Sequence, residues 1–369
     1  MIDQDRLINE FIELVQVNSV SGYERQLCDL LKKKLASLGL EVSEDNAGGV
    51  LPSATGNITA RLSVTKKAPH LLFCAHMDTV EPGRGIKPSI DQDGVIQSNG
   101  ETVLGADDKA GVAAIMEAIR IIQNEGIRHG GITVVFTVRE ETGLIGAKGL
   151  DPSINADYGF VLDATGPPGA IVVRAPSQDR ITTTVHGRTA HAGVNPEAGI
   201  NAIYVAAQSI SAMPLGRIDH ETTANIGIIC GGKAVNIVPD NVYLEGEVRS
   251  LQSAKRAKYT ARIRKTIEET ARKAGARADV NVELLYEGFD LPENAPVVQL
   301  GKQAVIRCGL EPSITHSGGG SDANILNARG IPTINLATGM ENVHTTREQI
   351  TVNDIINLTR LVLEIIQLA

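Results

Sequence analysis

Ile132-Thr-Val-Val-Phe-Thr-Val-Arg-Glu-Glu141 decides the fold class: an apolar run of strand length shows no alternation, and two acids follow it at once. A strand with one face in water alternates polar and apolar residues. One that does not alternate reads as buried on both faces of a sheet, as parallel strands are. Leu71-Leu-Phe-Cys-Ala75 and Tyr158-Gly-Phe-Val-Leu162 have the same texture. Between the first and second of these strands in chain order, the spacing predicts a long helix from about Lys109 to Asn124, ended by Gly126. Strand, helix and strand in that order give an α/β layer with a mixed, largely parallel sheet.

Upstream, Leu7, Ile8, Phe11, Leu14 and Val15 recur at helical spacing over residues 3–17. Ser21 with Glu24 three residues on reads as a capping box opening a second helix that ends near Gly39. From about Ile181 the texture changes. Ile181–Val185 alternates, a helix follows over about Gly199–Met213, and two alternating runs lie near Ala224–Ile229 and Val242–Val248. An amphipathic helix over about Ala254–Lys273 and an alternating run at Val280–Tyr286 complete a β-α-β-β-α-β order, the ferredoxin-like split unit. After Gly288 the first texture resumes, and Thr351-Val-Asn-Asp354 opens a final helix. The expected organisation is a large domain in two parts, residues 1–176 and 289–369, with a small inserted domain at 177–288.

Composition bounds the function. The chain has 369 residues, 42% of them hydrophobic and 21% charged, which is globular and enough for two domains. With no Trp and 3% aromatics, its core must be built from Ile, Val, Leu and Ala. A net charge of -8 argues against nucleic acid or an anionic membrane as a partner. Four scattered cysteines form no disulfide framework, and no leader or long apolar stretch is visible, so a cytoplasmic protein is expected.

The chemistry-bearing residues gather on this map. His76 and Asp78 follow one strand, Glu140 and Glu141 the next, and Asp163 the third, while Asp107 and Asp108 open the long helix. Ligands of open α/β sheets sit at carboxyl strand ends. Singly, each motif has an ordinary reading: a turn histidine, a solvated acid pair, a helix N-cap. Together, acids and a histidine from several strand ends would repel one another unless a cation sat between them.

His76-Met-Asp78, Gly105-Ala-Asp-Asp-Lys-Ala-Gly111, Arg139-Glu-Glu-Thr-Gly143, Leu162-Asp163 and Asn342-Val-His344 resemble, in order and spacing, the site motifs of the zinc exopeptidases typified by peptidase T. The resemblance runs over nearly the whole chain, including Gly187-Arg-Thr-Ala-His-Ala-Gly193 and Asn236-Ile-Val-Pro239 in the inserted domain. It implies two zinc ions, with cobalt or manganese as substitutes: one held by His76, Asp107 and Asp163, the other by Asp107, Glu141 and His344. Asp107 would bridge them. Asp78 would fix the tautomer of His76. Glu140 would be the general base towards a metal-bound hydroxide. His191 would reach into the site of a second subunit in a homodimer built through the small domain.

Arg249 could anchor a substrate carboxylate through its fork, and Asn236 is a similar candidate. Ser317-Gly-Gly-Gly-Ser-Asp322 lacks the Gly-Lys-Ser/Thr of a phosphate loop and reads as a flexible loop lining a substrate pocket. The expected activity is removal of the N-terminal residue from short peptides, tripeptides above all. Deacylation of N-acyl amino acids within the same family and peptide binding without catalysis are the alternatives. A second di-metal aminopeptidase family has a similar motif order but inserts a domain between the first His and the bridging Asp. Only 31 residues separate His76 from Asp107 here, too few for a domain.

Overall fold

The structure, a computed structural model, describes residues 2–49 and 55–369. The three non-alternating runs become neighbouring parallel strands in the spatial order Ile132–Thr137, Leu71–His76, Tyr158–Ala164. Every residue of the first two is buried. A fourth parallel strand, Thr333–Ala337, pairs with the far side of Tyr158–Ala164. Antiparallel strands extend the sheet both ways: Ile58–Leu62 and Glu41–Glu44 beyond Ile132–Thr137, and Ala170–Ala175 beyond Thr333–Ala337. The sheet is therefore mixed and largely parallel at its centre, as its residues require.

Helices cover both faces. Ala106–Glu125 packs on Leu71–His76 and Tyr158–Ala164, flanked by Gln4–Gln16 and Val352–Leu368. Phe73, Ala75, Val134 and Phe136 join its core cluster. On the alternate side of the strand, the Cys74 thiol meets Asp322, which opens the helix Asp322–Ala328. The long helix lies very close to the sheet at Gly111, where an added Cβ would sit 2.7 Å from the Leu162 carbonyl oxygen and 2.5 Å from Asp108 Oδ1. Glycine is needed there for the approach, not for its φ. Thr351 caps the last helix by accepting from the Asp354 amide.

Chain contacts separate a second unit, Ala175–Phe289 with Gly318–Gly320. Its antiparallel sheet runs Gly216–Asp219, Thr222–Gly231, Asn241–Ser250, Ser177–His186, Arg277–Tyr286. Ala202–Ala212 and Ser253–Lys273 pack on that sheet. The split β-α-β-β-α-β order is there, with one extra edge strand, Gly216–Asp219, that no alternation announced.

Two local expectations are corrected. Ser21 and Glu24 make no capping box: the helix is Arg25–Ser37, without a side-chain cap. Instead the Ser21 hydroxyl donates to Asp78, and Glu24 Oε1 accepts from the Gly22 and Arg139 amides. The second half of Ser317–Asp322 is not loose either. Ser321 forms a capping box with Asn324, and Asp322 is buried.

Because the Gly111 site has no room for a methyl group, Gly111→Ala is expected to cost about 1–3 kcal/mol through overpacking. Thermal denaturation reads this, and an unchanged midpoint would contradict so close an approach.

Candidate metal centre

Four parallel strands deliver their carboxyl ends to one place. His76 is the last residue of Leu71–His76, and Asp163 lies near the end of Tyr158–Ala164. Glu140 and Glu141 occupy the turn after Ile132–Thr137. His344 follows Thr333–Ala337, the strand that the sequence reading did not identify. Asp107 comes from the kinked start of the long helix, where Asp107 and Asp108 have non-helical dihedrals and are joined by a cis peptide bond. Arg139 and His344 hold left-handed backbones, φ 52 and 62. Such conformations are uncommon for side chains of this size and gather at functional turns.

The two carboxylate oxygens of Asp107 face different histidines. Oδ1 lies 3.0 Å from His76 Nε2, which is also 3.6 Å from Asp163 Oδ1. Oδ2 lies 3.3 Å from His344 Nε2, itself 2.9 Å from Glu141 Oε1. Two histidine–carboxylate clusters thus share one carboxylate. Asp108 is placed differently. Its Oδ2 accepts from the His76 amide at 3.1 Å, and its buried Oδ1 has no hydrogen-bond partner among the described residues. It shares a donor cluster with His76 and Asp163.

Backbone amides around the centre are held by side chains. Asp78 accepts from the Glu140 and Glu141 amides and from Ser21, Asn335 Oδ1 accepts from the Asp163 amide, and Glu348 accepts from the Asp107 amide. His76 Nδ1 lies 2.9 Å from the Asp78 carbonyl oxygen and 3.5 Å from its carboxylate, so the carbonyl is the nearer acceptor. Neither the amide-holding role of Asp78 nor the involvement of Ser21, Asn335 and Glu348 emerged from the sequence. Nothing in those residue types marks them until the fold brings them in.

Burial drives the electrostatics. It pushes the carboxyl of Glu140 well above the usual range, with the Asp163 charge adding to the effect. Burial also raises Asp163, to about 7. Asp107 goes the other way: burial opposes ionisation, but hydrogen bonds from His344 and His76 outweigh it. His344 rises to about 10, chiefly through its hydrogen bonds to Asp107 and Glu141. His76 rises despite its burial, because Asp107, Asp163 and Asp78 surround it. A site that pushes Glu140 and Asp163 towards protonation and its histidines towards the charged form is short of cations.

The remaining candidates lie in the second unit. The exposed His191 sits in a turn whose Ala192 amide donates to the Asn236 carbonyl oxygen. Asn236 is exposed beside it. The Arg249 fork is taken: Nε and Nη2 each donate to Glu247 at 2.9 Å.

The model of the peptidase family M20/M25/M40 matches residues 72–368. The chain belongs to this family. It is a metallopeptidase of the zinc exopeptidase type typified by peptidase T. An uncharacterised protein, YqjE of Bacillus subtilis, is 45% identical over 368 residues, covering 100% of this chain and 99% of its own. The aminopeptidase PepT of Bacillus cereus is 49% identical, with a TM-score of 0.90 over 99% of this chain and 98% of that one. A tripeptidase from Staphylococcus aureus is 43% identical, with a TM-score of 0.95 over 100% and 99%.

The His344 shift carries a sign. A histidine whose folded pKa is raised from about 6.5 to about 10 contributes stability that is fully present below pH 6.5 and lost as the pH climbs through 10. Chelator-treated protein is therefore expected to lose thermal stability across that window relative to His344→Gln. Parallel melting curves for the two proteins would contradict this.

Proposed function

We propose that the chain removes the N-terminal residue of short peptides, tripeptides first, at a centre of two divalent cations. The observation that carries this reading is the divided Asp107 carboxylate, with one oxygen towards His76 and Asp163 and the other towards His344 and Glu141. The donors fit zinc, or cobalt or manganese, in type: imidazole nitrogens and carboxylate oxygens. His76, Asp107 and Asp163 would hold one ion, and Asp107, Glu141 and His344 the other. Ions so placed would acidify a water and polarise the scissile carbonyl.

The chain's own residues then divide the work. Glu140 is buried beside the ligands, and its raised pKa suits a carboxylate that takes a proton from water and returns it to the leaving amine nitrogen. Asp78 keeps the Glu140 and Glu141 amides in place and lies beside His76 Nδ1. Glu247 holds the Nε–Nη2 edge of Arg249, so a substrate carboxylate would meet the guanidinium through its Nη1 side, and Asn236 adds a polar contact in the same unit. Peptide hydrolysis by the aminopeptidase PepT and the tripeptidase supports the substrate class.

Residues 177–288 form the unit through which we place a homodimer, with His191 of each subunit steadying the oxyanion in the other. Ile203, Tyr204, Ile228 and Ile229 are exposed there. The strand Thr222–Gly231 pairs on one side along its length and on the other only as far as Ala224. An apolar patch beside an open strand edge favours pairing with a second copy. The four free cysteines suit the cytoplasm, and no helix among the described residues is long and apolar enough to cross a membrane.

A free tripeptide and an N-acetylated amino acid, each offered to metal-loaded and to chelated protein, test the activity. Tripeptide cleavage from the N-terminus, abolished by chelation, is expected. Preference for the acetylated compound would move the assignment to a deacylase. Glu140→Ala is expected to keep its metal and lose about 10²–10⁴ in kcat. Mixing it with His191→Ala should restore part of the activity, and no recovery after demonstrated subunit exchange would contradict the shared site.

A further inference from the structure

Glu348 is a buried carboxylate that the proposed chemistry does not use. It is 1% exposed and lies just before the short strand Gln349–Thr351. Its Oε2 accepts from the Leu104 amide at 2.7 Å and from the Gly105 amide at 2.8 Å, while its Oε1 accepts from the Asp107 amide at 2.9 Å. The left-handed Gly105, φ 76, turns the chain between these donors. Lys109, fully buried in the next turn, feels the charge of Glu348. Three amides converging on one carboxylate form a concave anion cradle of backbone N–H groups.

The other end of the connection matters equally. The Glu341 and Gln349 amides exchange hydrogen bonds with each other's carbonyl oxygens and close the base of the loop that carries His344. Within that loop the Glu348 amide donates to the Thr345 carbonyl oxygen. Glu348 therefore belongs to the same closed loop as His344, yet its side chain is fastened to the backbone of Asp107. His344 and Asp107 face each other at 3.3 Å, and Glu348 is a second link between their segments, made behind the ligand atoms.

From this we infer that Glu348 is a positioning residue that fixes the distance between His344 and Asp107, and with it the affinity of the cation held by Asp107, Glu141 and His344. The inference rests on the two-metal reading above. Gln at 348 would present an NH2 group to at least one amide donor, leaving a buried N–H unpaired against another. Asp would keep the charge but be too short to span all three amides. Partners behind metal ligands affect metal affinity by about 10–100-fold, and because His344 belongs to only one of the two clusters, the loss should be unequal.

The test is a zinc titration of chelated wild type, Glu348→Gln and Glu348→Asp against a competing chromophoric chelator, with the melting temperature of each metal-free protein recorded alongside. The wild type is expected to bind two equivalents. Glu348→Gln should bind one of them about 10–100-fold more weakly and the other with a smaller change, and Glu348→Asp should fall between. Wild-type affinity for both equivalents in both variants would overturn the inference. So would equal weakening of both equivalents, or failure of both variants to fold, since Glu348 would then serve the fold and not the His344–Asp107 spacing. A wild-type chain that takes up no zinc would overturn the two-metal reading and this inference with it.

Discussion

Too many carboxyl groups lie at one end of a buried sheet, and the rest of the site answers that constraint. Asp78, Asp107, Asp108, Glu140, Asp322 and Glu348 are all buried, with Asp163 and Glu141 beside them. Against them stand Lys109, His76 and the half-exposed His344. An isolated buried charge is expensive, so each carboxylate must find a cation, find hydrogen-bond donors or take up a proton. Asp78 and Glu348 collect backbone amides. Asp108 and Asp322 shift towards the protonated form under burial, each with one oxygen unpartnered among the described residues. Asp107 stays ionised between two histidines. Even Lys109 is strained by the arrangement, its pKa lowered to about 8 by desolvation.

The same constraint explains how the ligands are aimed. Where parallel strands end, their amides leave the ladder and need new acceptors. Here those acceptors are side chains from elsewhere in the chain: Asp78 for the glutamate pair, Asn335 for Asp163, Asp108 for His76, Glu348 for Asp107. The backbones of Glu140, Glu141, Asp163, His76 and Asp107 are thus each held by a side chain from another segment. Loop ligands held in this way keep the precision otherwise expected of residues inside helices and strands.

How far the residues alone could lead follows from the range of each signal. The central strands were readable because burial on both faces removes alternation, and His76, Asp78, Glu140, Glu141 and Asp163 followed from the strand ends, with Asp107 from the start of the long helix. Thr333–Ala337 escaped because its five residues include two buried polar ones: Thr333, whose hydroxyl donates to the Ile331 carbonyl oxygen, and Asn335, whose side-chain amide has partners in Asp163 and Ser321 that only the fold supplies. His344 was therefore placed by resemblance and not by pattern. Ser21 and Glu24 had the spacing of a capping box, but tertiary hydrogen bonds to Asp78 and from Arg139 claimed both side chains. The role of Glu348 is invisible in sequence, since its three amide partners lie more than 240 positions away.

If cations relieve the crowding of carboxylates, stability must depend on them. Scanning calorimetry of chelated protein with zero, one and two equivalents of zinc measures this directly, since a ligand that binds only the folded state raises the melting temperature. The account requires a melting temperature that rises with each equivalent and levels off after the second. A metal-free chain that melts where the loaded chain does would contradict it.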